Sequence, residues 1–133
     1  MREFALQQTA LLLGRFRVAL NRAAREGDPD AIHDVRVAMR RLNRCLRVFA
    51  QFYPDNTWKK IRRRIAGLMT AAGAVRDCDI ALELVGRAGI VKRNQMVAQL
   101  TSRRQKTARE LLSEIRRWKN RDYPRQWRKR LEL

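Results

Sequence analysis

The sequence predicts an all-α chain, an antiparallel four-helix bundle with a short basic C-terminal tail. Apolar residues recur at helical spacing in four long segments, Gly, Pro, Asp or Asn marks the breaks between them, and no stretch alternates with the period of a strand. The first helix spans residues 3 to about 25, with Leu6, Leu12, Leu13, Phe16, Ala19 and Leu20 on one broad face and Arg15, Arg17 and Arg22 outside or beside it. Gly27-Asp28-Pro29-Asp30 breaks the chain and supplies helix-start chemistry for the second helix, residues 29 to about 52. Its apolar arc holds Ile32, Val35, Ala38, Met39, Leu42, Cys45, Leu46 and Phe49.

Pro54 forbids a continuous helix, and Asn56 or Thr57 can cap the third, residues 57 to about 85. Trp58, Ile61, Ile65, Leu68, Ala72 and Val75 form its core stripe. Gly67 and Gly73 each cost about 1 kcal/mol against Ala inside a helix. With Ala66, Ala71, Ala72 and Ala74 they make a small-residue segment that lets a neighbouring helix or a ligand come close. Gly86 to Gly89 ends this helix. A fourth runs from about 91 to 118, with Met96, Val97, Leu100, Thr107, Ala108, Leu111 and Ile115 inward. Residues 1–119 are thus read as the bundle. Residues 120–133, with Pro124, Trp127 and Arg128-Lys129-Arg130, are a basic tail, either a short fifth helix or a frayed end.

With 133 residues and 45% apolar content the chain can bury one core, which argues against disorder despite a net charge of +18. Of the 31 basic residues, 25 are Arg, whose planar fork suits fixed recognition of oxyanions. Composition alone leaves a polyanionic partner and a merely Arg-rich genome equally acceptable. Cys45 and Cys78 lack a C-x-x-C spacing and read as core residues of a reduced, cytosolic protein. One His and two isolated Cys make a zinc site improbable. No apolar run suits a signal peptide or a membrane span.

Charge placement says more than charge number. At 100° per residue, His33, Arg36, Arg40, Arg44 and Arg47 fall in one narrow arc of the second helix, with only Val37 and Asn43 intruding. This stripe runs on the order of 20 Å and has almost no acidic partners. Lys59, Lys60, Arg62, Arg63 and Arg64 crowd the start of the third helix, where the dipole favours acids. A solvated face is the first explanation and phosphate binding the second. Three charges break the apolar pattern: Arg76 and Asp79 share the inward arc of Ile65, Ala72 and Val75, and Arg104 lies between Leu100 and Leu111. Such charges must be paired or line a wet cavity. Asp79 can pair with Arg36 or Arg40, and Asp77 and Asp79 can hold arginines in fixed rotamers around a ligand.

Catalysis is poorly supported. His33 beside Asp34 at a helix start is more simply a capping or hydrogen-bonding residue than a general base. Asp77 and Asp79 form the only close acid pair in the inner helical region, but Arg76 argues against a cation there. No phosphate-binding loop, nucleophile elbow or dinucleotide fingerprint is present, so no enzyme activity, cofactor or metal is expected.

Two blocks carry a family resemblance. Ile32-His33-Asp34-Val35-Arg36-Val37-Ala38-Met39-Arg40-Arg41-Leu42 resembles the V-H-D-L-R-V-A-x-R-R-L hallmark of CHAD domains, the conserved-histidine α-helical domains. Gly73-Ala74-Val75-Arg76-Asp77-Cys78-Asp79-Ile80 resembles that family's L-G-x-x-R-D-x-D-V. The resemblance covers residues from about 5 to 118 and is weaker over the tail. It implies one half of a fold built from two pseudo-symmetric four-helix bundles around a basic channel, and binding of inorganic polyphosphate, with association to polyphosphate granules. By motif position it implies that His33, Arg36, Arg40 and Arg41 line the anion site, with Arg76 from the third helix; Arg104 joins them because its arc faces inward. Thr70 stands where the family often carries a basic or amide side chain. The chain departs from the family in having a single such H-x-x-R block and about half the usual length. The expectation is either a fragment of a longer protein or, preferably, a homodimer that rebuilds the channel. The leading reading is therefore a non-enzymatic polyphosphate-binding protein whose site comprises His33, Arg36, Arg40, Arg41, Arg44, Arg47, Arg76 and Arg104, supported by Asp77 and Asp79. A nucleic-acid-binding helical protein, with Trp58, Trp118 and Trp127 as conceivable stacking rings, comes second. A phosphohydrolase accessory comes last.

Overall fold

The computed structural model describes residues 1–91 and 94–133. Among the described residues the chain is all-α, with no strand: α1 (Arg2–Glu26), α2 (Pro29–Val48), a 3-10 turn (Ala50–Phe52), α3 (Thr57–Arg87), α4 (Gln95–Asn120) and α5 (Tyr123–Arg130). The expected start of the fourth helix, from about residue 91, runs into residues 92 and 93, which lie outside the described residues. Among the described residues no helix is long and apolar enough to cross a membrane.

The junction between α1 and α2 sets the geometry of the end that matters most. Gly27 closes α1 in the left-handed conformation at φ 64°, which glycine adopts without Cβ strain, and its N–H donates to Ala23 O at 2.8 Å. One residue later Asp28 caps α2, its carboxylate accepting the Ala31 N–H at 2.8 Å. Pro29 occupies the first turn, where a missing N–H costs nothing. At its other end α2 stops at Val48, four residues before the expected limit, because the chain tightens into the 3-10 turn that leads to Pro54. Neither Asn56 nor Thr57 caps α3 with its side chain as expected. Asp55 instead accepts the Thr57 N–H at 2.7 Å, and the hydrogen bonding holds its carboxyl below the ordinary carboxylate range.

The core lies between α1, α2, α3 and α4. α1 packs against α2, α4 and α5, while α3 packs against α4 and α2. Phe16, Leu20, Met39, Leu42, Leu46, Ile65 and Ile115 are fully buried there. A small polar knot crosses this core. Thr9 donates to Ala5 O at 2.7 Å, and its hydroxyl lies 2.8 Å from the Tyr53 hydroxyl and 3.4 Å from Cys45 Sγ. Burial pushes the Tyr53 phenol above its ordinary pKa.

Residues 123–130 form α5, and its inner face is part of the core. Trp127 and Tyr123 stack at 5.9 Å, Trp127 stacks on Phe16 at 5.9 Å, and Trp118 meets both rings of α5 edge-on. Arg64 secures the same helix from α3. Its Nη1 donates to the Tyr123 hydroxyl at 2.6 Å, and its guanidinium lies 4.7 Å from the ring centre. The basic run at the start of α3 is therefore partly structural, since Arg62 Nε also donates to Asn43 Oδ1 of α2 at 2.9 Å.

α3 and α4 extend past the shorter α1 and α2. From Asp79 to Glu110 none of the described residues is buried. Met96, expected inward, is 44% exposed, and Val97 and Leu100 are only half-buried, because no third helix covers these arms. Gly67 and Gly73 also differ from expectation. A Cβ on either would meet nothing within 4 Å, so neither marks a close helix contact.

Candidate anion-binding cleft

The outward step of α3 and α4 opens a cleft against the α1–α2 junction. α2 contributes His33 and Arg36, α3 contributes Arg76 and Asp79, and α4 contributes Arg104. Ile32, Ala72, Val75 and Ala108 give the cleft an apolar lining, and Gly27 and Pro29 edge it at the turn. Its volume is about 440 Å³. Helical phase explains the convergence: His33 and Arg36 share one face of α2 at a three-residue spacing, as do Arg76 and Asp79 on α3.

The polar partners of these groups divide sharply. Arg104 Nε donates to Asp79 Oδ1 across the α3–α4 seam. Both side chains are partly exposed, at 36% and 41%, so the pair serves to orient Arg104 more than to stabilise the fold. Asp79 was expected to pair with Arg36 or Arg40; it faces α4 instead, and Arg36 makes no ion pair among the described residues. Arg36 Nε is buried and has no hydrogen-bond partner among the described residues. A buried donor left unsatisfied costs about 1–3 kcal/mol. Arg76 is exposed at the cleft and likewise unpaired among the described residues, so of the two fates its inward arc allowed, pairing or lining a wet cavity, it takes the second. Asp77 is exposed, with no ion pair among the described residues, and orients none of these arginines.

Of the eight candidate anion-binding residues, His33, Arg36, Arg76 and Arg104 come together here. Arg40, Arg44 and Arg47 continue along the exposed face of α2 and do not line the cleft. Arg41 points elsewhere. It lines a separate depression of about 470 Å³ between α1 and α2, with Arg15, Asp34 and the far side of His33. Asp34 there receives Arg22 Nη1 at 2.6 Å, tying α1 to α2 behind His33. Arg15 was not anticipated as a neighbour of Arg41, although it flanks the apolar face of α1 in the sequence. Among the described residues no group of three or more His, Cys, Asp or Glu side chains could hold a metal ion.

With this geometry in view, comparison with known proteins gives one finding. A family model, the CHAD domain, matches residues 7–132, nearly the whole chain and including α5. No curated protein and no solved structure gives a significant match.

Proposed function

The chain belongs to the CHAD domain family, and from that membership we propose that it binds inorganic polyphosphate in the cleft and leaves the polymer chemically unchanged. CHAD domains are associated in general with polyphosphate binding. The observation that carries the reading is Arg36: a guanidinium with a buried, unsatisfied N–H and no carboxylate, beside Arg76 and an Arg104 already oriented by Asp79. A phosphate oxygen supplies what that donor lacks, through charge-assisted hydrogen bonds that are shorter and stronger than neutral ones. His33 adds a polar group to the same wall. Arg40, about 6 Å further along α2, and then Arg44 and Arg47, extend the positive track for following phosphates. In the cell this reading places the protein on polyphosphate granules.

Nucleic acid is a poorer fit, because Trp118 and Trp127, two of the rings available for stacking bases, are 4% and 2% exposed within the core. Titration at about 150 mM salt, near physiological ionic strength, separates the two. Long-chain polyphosphate is expected to bind more tightly than DNA or RNA of matched charge, and to weaken steeply as salt rises. Equal affinity for all three polymers would remove the case for a polyphosphate site.

The architecture that accompanies this function is one antiparallel bundle of α1 to α4, paired with a second copy. The overhanging arms support the homodimer. Ile80, Leu84, Val91 and Met96 are exposed there, Leu84 at 58%. Residues 77–102 contain three acidic and three basic residues, so this segment is neutral while the remainder carries the whole +18. Two copies that meet through their arms bury apolar surface where their mutual repulsion is least. Sedimentation at micromolar concentration is expected to show a dimer that Leu84→Glu with Met96→Glu converts to monomer. A wild-type monomer at that concentration would overturn the arrangement.

A further inference from the structure

The cleft does not end at a wall. Its edge at Gly27 and Ala108 adjoins a second depression, of about 590 Å³, on the outer side of α4. The two meet at one contact: a Cβ on Gly27 would lie 3.3 Å from Leu112 Cδ2, so the end of α1 and the side of α4 form a low ridge between them. Beyond the ridge lie Arg109, Ser113, Arg116, Arg117, Asn120 and Arg121; no acidic side chain is among the lining residues, and Arg117 alone of the four arginines has an acidic partner among the described residues, Glu114 at 3.5 Å. The four arginines run from Arg109 to Arg121, the residue that follows α4, about 18 Å along the axis.

Two details separate this surface from an ordinary solvated helix face. Arg116 is anchored: its Nε donates to Ala24 O at 3.1 Å, satisfying a carbonyl of the last turn of α1 and fixing the guanidinium at the edge of the depression it lines. Arg109, one residue past Ala108 of the cleft, makes no ion pair among the described residues, and α4 as a whole carries seven basic residues against two acidic ones. The charge is therefore not balanced along the helix, and three of its arginines, Arg109, Arg116 and Arg117, line this one depression.

We propose that this depression is a second anion subsite, continuous with the cleft over the Gly27–Leu112 ridge, that takes the extension of a long polyphosphate chain. The inference rests on the cleft reading and adds a direction to it. A polymer that enters between Arg36, Arg76 and Arg104 leaves along Arg109 and Arg116, so one chain follows α4 from its middle towards its C-terminal end. A short oligomer fills the cleft alone.

Chain length provides the test. Tripolyphosphate probes the cleft and long-chain polyphosphate probes both regions. Arg109→Gln with Arg117→Gln spares Arg116 and its bond to α1. This variant is expected to bind tripolyphosphate within about twofold of wild type and long-chain polyphosphate about tenfold more weakly, with a shallower salt dependence. A charge-matched control, Arg2→Gln with Lys59→Gln, removes charge at the starts of α1 and α3, outside both depressions, and is expected to lose no more than about threefold for the long chain. Arg109→Glu, measured alone, is expected to lower long-chain affinity in the same selective way. The subsite is overturned if the α4 variant matches the control, or if both ligands weaken equally. Failure of the cleft reading has a different signature: Arg36→Leu then leaves tripolyphosphate binding intact, and the continuity proposed here falls with it.

Discussion

Replacing Arg36 by Leu is expected to cost polyphosphate affinity and to leave the fold at least as stable as before. Hydrogen bonds to charged groups contribute roughly 1.5–3 kcal/mol, so the single substitution should weaken binding about ten- to a hundredfold. Adding Arg76→Gln should bring the loss to about a thousandfold if the two contacts are independent. The stability side runs the opposite way. Wild type holds a buried Nε–H with no partner, and Leu removes that group while keeping its apolar bulk against the cleft lining. Unfolding in urea should therefore shift upward, by up to about 1–3 kcal/mol. A loss of binding that came with a comparable loss of stability would show Arg36 to be a structural residue.

The second large effect is on the fold itself. Trp127→Ala is expected to destabilise the protein by about 3–5 kcal/mol, the usual cost of deleting a large buried aromatic. Trp127 is 2% exposed and contacts Phe16, Trp118 and Tyr123, so the cavity would open among three helices at once. That figure is a large share of the roughly 5–15 kcal/mol that holds a typical domain together. Denaturant unfolding followed by tryptophan fluorescence and far-UV circular dichroism measures it. A change below about 1 kcal/mol would mean that α5 is an appendage to the core.

The α2 stripe was legible in the sequence because a long amphipathic helix writes its faces into its spacing, and Arg36 and His33 keep the phase that the spacing assigns them. Arg41 shows how a motif can be over-read. Five residues from Arg36 is a rotation of about 140°, which directs it toward α1 however closely the motif matches. The Asp79–Arg104 pair was not legible, since periodicity fixes a face and not the neighbour across it; Arg36, Arg40 and Arg104 were all within reach of that arc. α5 was legible only as one of two alternatives, a short fifth helix or a frayed end, because of its brevity. Eight residues with three basic ones in the last turn dilute the signal of Tyr123, Trp127 and Leu131, which fall on one buried face. The overhang of α3 and α4 follows from lengths: 31 residues against 20 in α2 is a difference of about 16 Å of helix that α2 cannot flank.

That overhang gives the cleft two unlike jaws. His33 and Arg36 stand on α2, whose inner face is locked in the core, whereas Arg76, Asp79 and Arg104 stand where α3 and α4 leave it. Segments with few buried contacts open locally at a small fraction of the global free energy, so the α3–α4 jaw can change its distance from α2 without unfolding the protein. The Asp79–Arg104 bond crosses from one arm to the other and ties the two together. A linear polymer presents its phosphates in many conformations, and a grip with one fixed and one adjustable side can hold successive conformers as the chain slides, where a rigid pocket would select only one.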